Sequence, residues 1–222
     1  MTRSNPHCPT RRQLLTLLAG GVTMAGLGCA HRAGGAGGAV DPKTDAARAL
    51  VDMATVPGDF LARQRLAGHM GEHKLASEVV LQKQGDVLTL IGLTPFGTKA
   101  FALIQRGLET EYTAFVEVAL PFPPEMMLAD IHRTLFVRIG DDLAGDGDRR
   151  AKLGDERIDE SWAGGKLLRR VYKRRRGKPK GLIIIDYGDG MSGRTPPPVI
   201  TIDNQRFGYT VTIETSTYQQ LS

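Results

Sequence analysis

The chain has 222 residues, 41% hydrophobic and 24% charged, which are the proportions of a folded globular domain with length enough for a core. Its formal net charge is +5, but Arg3, Arg11 and Arg12 precede Cys29 and no acidic residue does, leaving 26 basic against 24 acidic residues from Cys29 onward. That near balance argues against nucleic acid as a partner, and with only Cys8 and Cys29 in the chain an internal disulfide is excluded once a leader ending before Cys29 is removed.

Residues 1–28 read as that leader. A basic start is followed by a mildly apolar run over residues 14–27, too short and too broken by Gly20, Gly21 and Gly26 to span a bilayer. Thr10-Arg11-Arg12-Gln13-Leu14-Leu15 resembles a twin-arginine export signal. Ala25-Gly26-Leu27-Gly28-Cys29 resembles a bacterial lipobox, in which small residues admit the peptidase and the cysteine thiol carries the lipid. Gly26 replaces the usual leucine of that pattern. Several acyl chains on Cys29 would anchor the protein stably, since each buried methylene contributes about 0.8 kcal/mol. Residues 29–44 then form a Gly/Ala-rich tether. Residues 30–39 lack the Gly-Lys-Ser/Thr ending of a phosphate loop, and no cofactor is expected. Ala30, rather than an aspartate, after the lipidated cysteine implies the outer membrane.

The domain proper is expected over residues 45–222. Ala47, Leu50, Val51 and Ala54 stand at helical spacing before Pro57-Gly58, predicting one short helix over 45–56. Residues 60–70 and 74–83 read as two strands around a turn at 71–72. The runs 87–93 and 100–104 follow as a hairpin joined through Thr94-Pro95-Phe96-Gly97, and 110–118 as a fifth strand. Both runs of the hairpin are apolar on two faces, so both faces need cover. Pro123 and Pro124 suit a helix start, and Leu128, Ile131 and Leu135, flanked by Met127 and Phe136, form an apolar stripe able to lie across a sheet. Residues 141–150 read as a charged loop, and strands return at 166–174, 181–187, 199–203 and 207–215. The sum is an α+β protein dominated by β, a strongly curved antiparallel sheet or unclosed barrel with an inner face to fill.

The central GLTPFGTKAFAL, the helix MLADIHRTLF and the ending IDNQRFGYTVTIET occur in that order. Together they resemble a domain-of-unknown-function family of Gram-negative outer-membrane lipoproteins related to the LolA/LolB carriers, over about residues 60–217. The resemblance implies an unclosed antiparallel barrel with helices in its mouth and a hydrophobic cavity able to take acyl chains. It implies as partners membrane lipids, other lipoproteins or a periplasmic carrier, handled by a monomer facing the periplasm and not by an enzyme. An acyl chain needs a dry, deformable surface. Leu88, Leu90, Phe96, Phe101 and Leu103, facing Met127, Ile131 and Leu135, are the candidates to supply it; methionines such as Met126 and Met127 adapt to ligands of variable shape. The same residues serve equally well as a filled core under a packed helix, which would make the protein a structural or assembly lipoprotein.

Other constellations compete less well. His69-Met70-Gly71-Glu72-His73 matches the H-x-x-E-H pattern of a zinc hydrolase, but that chemistry needs both histidines on one helical face, and Gly68 and Gly71 favour a hairpin. Residues 166–180 hold nine basic residues in 15, either a solvated hairpin or, through Arg174, Arg175 and Arg176, a contact for anionic lipid headgroups. Residues 142–147 hint at a calcium loop but put Ala144 and Leu153 at ligand positions. Glu156, Asp159 and Glu160 read as surface charges.

Overall fold

A computed structural model describes residues 41–117, 120–140 and 145–221. Cys29, the leader, most of the tether and the first half of the calcium-like loop lie outside the described residues.

Eleven antiparallel strands form one sheet in the order β5-β4-β3-β2-β1-β11-β10-β9-β8-β7-β6. They are β1 (Asp59–Met70), β2 (His73–Gln84), β3 (Val87–Leu93), β4 (Lys99–Arg106), β5 (Glu109–Ala114), β6 (Gly147–Leu153), β7 (Glu156–Ala163), β8 (Lys166–Arg174), β9 (Leu182–Met191), β10 (Val199–Asn204) and β11 (Tyr209–Leu221). Two meanders, β1–β5 and β6–β11, are thus zipped together by the long pairing of β1 with β11. The connection between them is helical: α2 (Glu125–Ile131) runs directly into a π-helical turn, His132–Phe136. The edges β5 and β6 do not pair, so the barrel is unclosed, as the sequence predicts.

The hairpin expected around residues 94–97 is present, with β3 and β4 in register from Val87↔Arg106 to Gly92↔Phe101. Its cover is less symmetric than the doubly apolar pattern suggests. Leu88, Leu90 and Gly92 are buried, whereas the alternate residues of β3 stay partly exposed. Gly92 has a packing reason: a Cβ there would lie 2.1 Å from the Phe101 ring, so the glycine lets that ring lie across the strand.

Three expectations need correcting. The single helix over 45–56 is two pieces. Asp41 caps α1 (Pro42–Ala47), which begins at a proline inside the stretch read as tether, and Asp52 caps a separate 3-10 turn, Met53–Thr55. The Val51 amide is drawn away from any helix by His132 Nδ1 at 3.0 Å. The fifth strand stops at Ala114. The charged loop at 141–150 gives way to an edge strand, β6, whose polar face suits its exposed position.

Candidate functional site

Beneath α2 lies a cavity of about 60 Å³. Its floor is the inner face of β1–β3, β10 and β11, where strand alternation places Leu66, Leu75, Val79, Leu90, Ile202, Val211 and Ile213; its roof is Phe122, Met127 and Ile131. Residues 127, 130 and 131 sit three and four apart, so one face of α2 meets the cavity. The lining is mostly apolar, with Gln64, His69, Asp130, Tyr209 and Thr210 as its polar members.

Asp130 is buried, and its Oδ2 accepts a short hydrogen bond from the Tyr209 hydroxyl, which itself accepts from Asn204 Nδ2 at 2.8 Å. Its Oδ1 has no hydrogen-bond partner and lies 3.6 Å from Arg133 Nη1. Burial pushes the Asp130 carboxyl up to about 6, against the pull of Arg133 and of Tyr209. Burial and the neighbouring Asp130 raise the Tyr209 hydroxyl well above its ordinary value.

The other side of the helical connection is held by polar contacts. Arg170, fully buried on β8, donates to Glu160 Oε1 at 2.7 Å and to the Arg133 carbonyl at 2.6 Å. Tyr172 donates to the same carbonyl at 2.7 Å and Tyr187 to the Thr134 carbonyl at 2.9 Å. Glu160 also accepts from Trp162 Nε1. Asp45 on α1 bridges Arg133 and Arg174, and Glu156 bridges Arg174 and Arg206. On the β4 side His132 Nδ1 accepts from Val51, so its Nε2 carries the proton donated to Gln105 Oε1 at 2.6 Å. Burial and the nearby Arg133 lower this imidazole to about 3 and keep it neutral.

Of the eight residues expected to line a cavity, the structure brings together Leu90, Met127 and Ile131. Leu88, Phe101, Leu103 and Leu135 are packed in the core instead. Phe96 is displaced altogether: it is 92% exposed at the tip of the β3–β4 turn, because the turn carries it beyond the last paired residues. Arg174 is not a headgroup contact but a buried member of the Asp45–Glu156 network; Arg175 and Arg176 are exposed. Glu160 is buried rather than on the surface. His69 and His73 flank the β1–β2 turn, where Gly71 has φ 57°, so the H-x-x-E-H segment is a hairpin tip. Among the described residues no group of three or more His, Cys, Asp or Glu side chains is placed to hold a metal. Tyr209, on β11 at the sheet end, stands on the cavity wall.

The family model described as "Protein of unknown function (DUF3261)" matches residues 61–217. The chain belongs to this family. The DUF3261 match spans almost the same residues as the resemblance drawn from the three sequence stretches. Among solved structures, the chain is similar to a LolA superfamily protein from Nitrosomonas europaea, at 12% identity and a TM-score of 0.44, over 83% of this chain and 95% of that one. It is similar also to a domain described as an outer membrane lipoprotein-sorting protein from Vibrio parahaemolyticus, at 10% identity and a TM-score of 0.38, over 74% and 86% of the two chains. A DUF1329 family protein from Desulfovibrio piger aligns at 10% identity and a TM-score of 0.33, over 82% and 95%. No curated protein matches the sequence.

Proposed function

We propose that this DUF3261 protein is a lipoprotein anchored through Cys29 to the outer membrane, facing the periplasm, that takes acyl chains or lipidated cargo beneath α2 in the course of lipid or lipoprotein transfer. The observation that carries this reading is the apolar cavity between α2 and the inner face of β1–β3, β10 and β11. Its size sets the mechanism. Sites for ligands of this class occupy about 300–1,000 Å³, so a cavity of about 60 Å³ is a closed state, and a chain enters by lifting α2 off the sheet. The contacts to be broken there are mostly apolar and include the adaptable Met127, with the Tyr209–Asp130 hydrogen bond as the polar tie, whereas the residues following α2 stay fastened by Arg170, Tyr172 and Tyr187. No bond-making step is assigned to the site.

The test uses the full chain carrying Cys29→Ala, so that its own lipid does not compete. Native mass spectrometry with co-purified lipid, or displacement of a fluorescent fatty acid, supports the carrier. Filling the cavity with Ile131→Trp should abolish displacement while the fold persists. The packed positions of Leu88, Phe101, Leu103 and Leu135 favour the second reading, a structural lipoprotein with a filled core. Absence of bound lipid together with no displacement at any chain length would establish it. Loss of metabolic lipid labelling in Cys29→Ala tests the anchor separately.

A further inference from the structure

The strand register draws one end of the sheet as a continuous line. Met70 pairs with Tyr209, Tyr209 with Asn204, Asn204 with Ile183, Ile183 with Tyr172, and Arg174 with Glu156. The turns at 71–72, 94–98, 154–155, 175–181 and 205–208 all lie at this end. So does α1, through the Asp45–Arg174 and Arg48–Asp155 ion pairs. At the opposite end are the turns at 85–86, 107–108 and 164–165 and the longer β9–β10 connection at 192–198, which together hold Asp86 and one basic residue, Arg194.

Two features concentrate at the first end. Arg175, Arg176, Lys178 and Lys180 are exposed on one turn, which contains no acidic residue. Arg174 holds that turn from inside, donating from Nη1 to the Lys178 carbonyl at 2.8 Å. Large apolar side chains are also exposed there, namely Phe96 on the β3–β4 turn, Phe115 and Val116 just beyond β5, and Leu153 at the end of β6, against Leu108 and Val199 at the opposite end. Cations and exposed apolar tips at one end of the sheet match a bilayer interface bearing anionic lipid, which offers negative charge at the surface and hydrocarbon just below it.

We propose that this end of the domain is a docking surface for an anionic phospholipid bilayer, with the turn 175–181 as its electrostatic contact. The position of α1 agrees: Asp41 is 12 residues after Cys29 in the chain, a length that spans at most about 40 Å, so a lipid on Cys29 would keep this end within reach of the membrane that holds it. The surface stands independently of the cavity. If the carrier reading also holds, docking brings the cavity walls contributed by His69, Met70 and Tyr209 to the bilayer side of the domain.

Vesicle co-sedimentation of the full chain carrying Cys29→Ser is the test, with vesicles of phosphatidylcholine alone or with 30% phosphatidylglycerol at about 0.1 M salt. The pair Arg175→Ser/Arg176→Ser should weaken binding to the anionic vesicles by about 30-fold. A control pair at the opposite end, Arg106→Ser/Lys166→Ser, removes the same charge and should change binding by less than 2-fold. Both pairs should unfold at the wild-type urea concentration, since all four side chains are exposed. Equal losses from the two pairs would reduce the effect to net charge and overturn the docking surface. So would binding that needs no phosphatidylglycerol, or an Arg175/Arg176 pair that binds like wild type. Fatty-acid displacement measured on the same variants is expected to be unchanged, which separates this outcome from that of the cavity.

Discussion

The two halves of the sheet hold the same helical connection by opposite means. Under α2, β1–β3, β10 and β11 offer mainly aliphatic side chains and leave space, with a polar tie from Tyr209 to Asp130. Under the following turn, β7–β9 offer Arg170, Tyr172 and Tyr187, whose hydrogen bonds go to the backbone carbonyls of Arg133 and Thr134. Apolar contacts carry no direction and re-form after small displacements. A buried ion pair tied into hydrogen bonds does not, because separating it leaves charge without water. One half is therefore built to hold position and the other to yield.

The largest effect is expected from breaking the polar half. Arg170→Ala leaves Glu160 buried beside Trp162 with its cation gone, and should cost about 3–5 kcal/mol in urea unfolding. Arg170→Met/Glu160→Leu, which removes both charges, should recover most of that loss. A double variant as unstable as the single would contradict the role given to the ion pair. In the apolar half, Leu90→Ala should cost about 3 kcal/mol and enlarge the cavity, raising the relative affinity for longer or branched acyl chains. If selectivity does not move, Leu90 does not shape a ligand site.

Proton uptake sharpens the contrast. The Asp130 carboxyl titrates at about 6 when folded and near 3.8 otherwise. Ionising it is therefore a burden above pH 6 that lifts as pH falls towards 3.8. Asp130→Asn should gain on wild type by up to about 3 kcal/mol at pH 8, and the gap should close in that window. His132 acts in the opposite sense. Its folded value near 3 lies below the usual 6.5, so its contribution is complete above pH 6.5 and is lost progressively as pH falls towards 3. Thermal melts of Asp130→Asn from pH 8 to pH 4 should then expose a steeper acid loss than wild type shows. Melts that run parallel across the range would refute the Asp130 assignment, and an Asp130→Asn variant whose stability stays flat from pH 6.5 to pH 4 would refute that of His132. The smallest effect belongs to Arg65, paired with Glu214 at 3.7 Å and largely exposed: Arg65→Ala should stay within about 0.5 kcal/mol.

What the sequence disclosed follows from where each half keeps its signal. The strands of the first meander, from Phe60 to Ile104, announce themselves through β-branched and apolar runs between glycine turns. The stripe Leu128, Ile131 and Leu135 announces a covering helix. The inward residues of β7 and β8 give no such sign. A register shift beyond Leu167 puts Arg170, Tyr172 and Arg174 on the inner face, inside a basic run that reads as solvated surface. Nothing local distinguishes Arg174, which is buried, from Arg175, which is not; the partners that bury it, Asp45 and Glu156, are distant in the chain. Phe96 failed for the converse reason. Its neighbours are core residues, but a turn residue does not inherit the burial of the strands it joins. Asp130 lay within the helix quoted for the family resemblance, yet a lone aspartate on an amphipathic helix is ordinarily solvent-facing, and only its packing against Tyr209 marks it out.

The unpaired edges of β5 and β6 carry a mechanical consequence. In a closed barrel the girth is set by an unbroken ring of ladder hydrogen bonds, and widening the interior means severing some of them. Here the ring is already interrupted. The two meanders can splay about the β1–β11 seam like the covers of a book about its spine, with every strand keeping its neighbours. Swelling to admit a guest is then resisted by side-chain contacts alone.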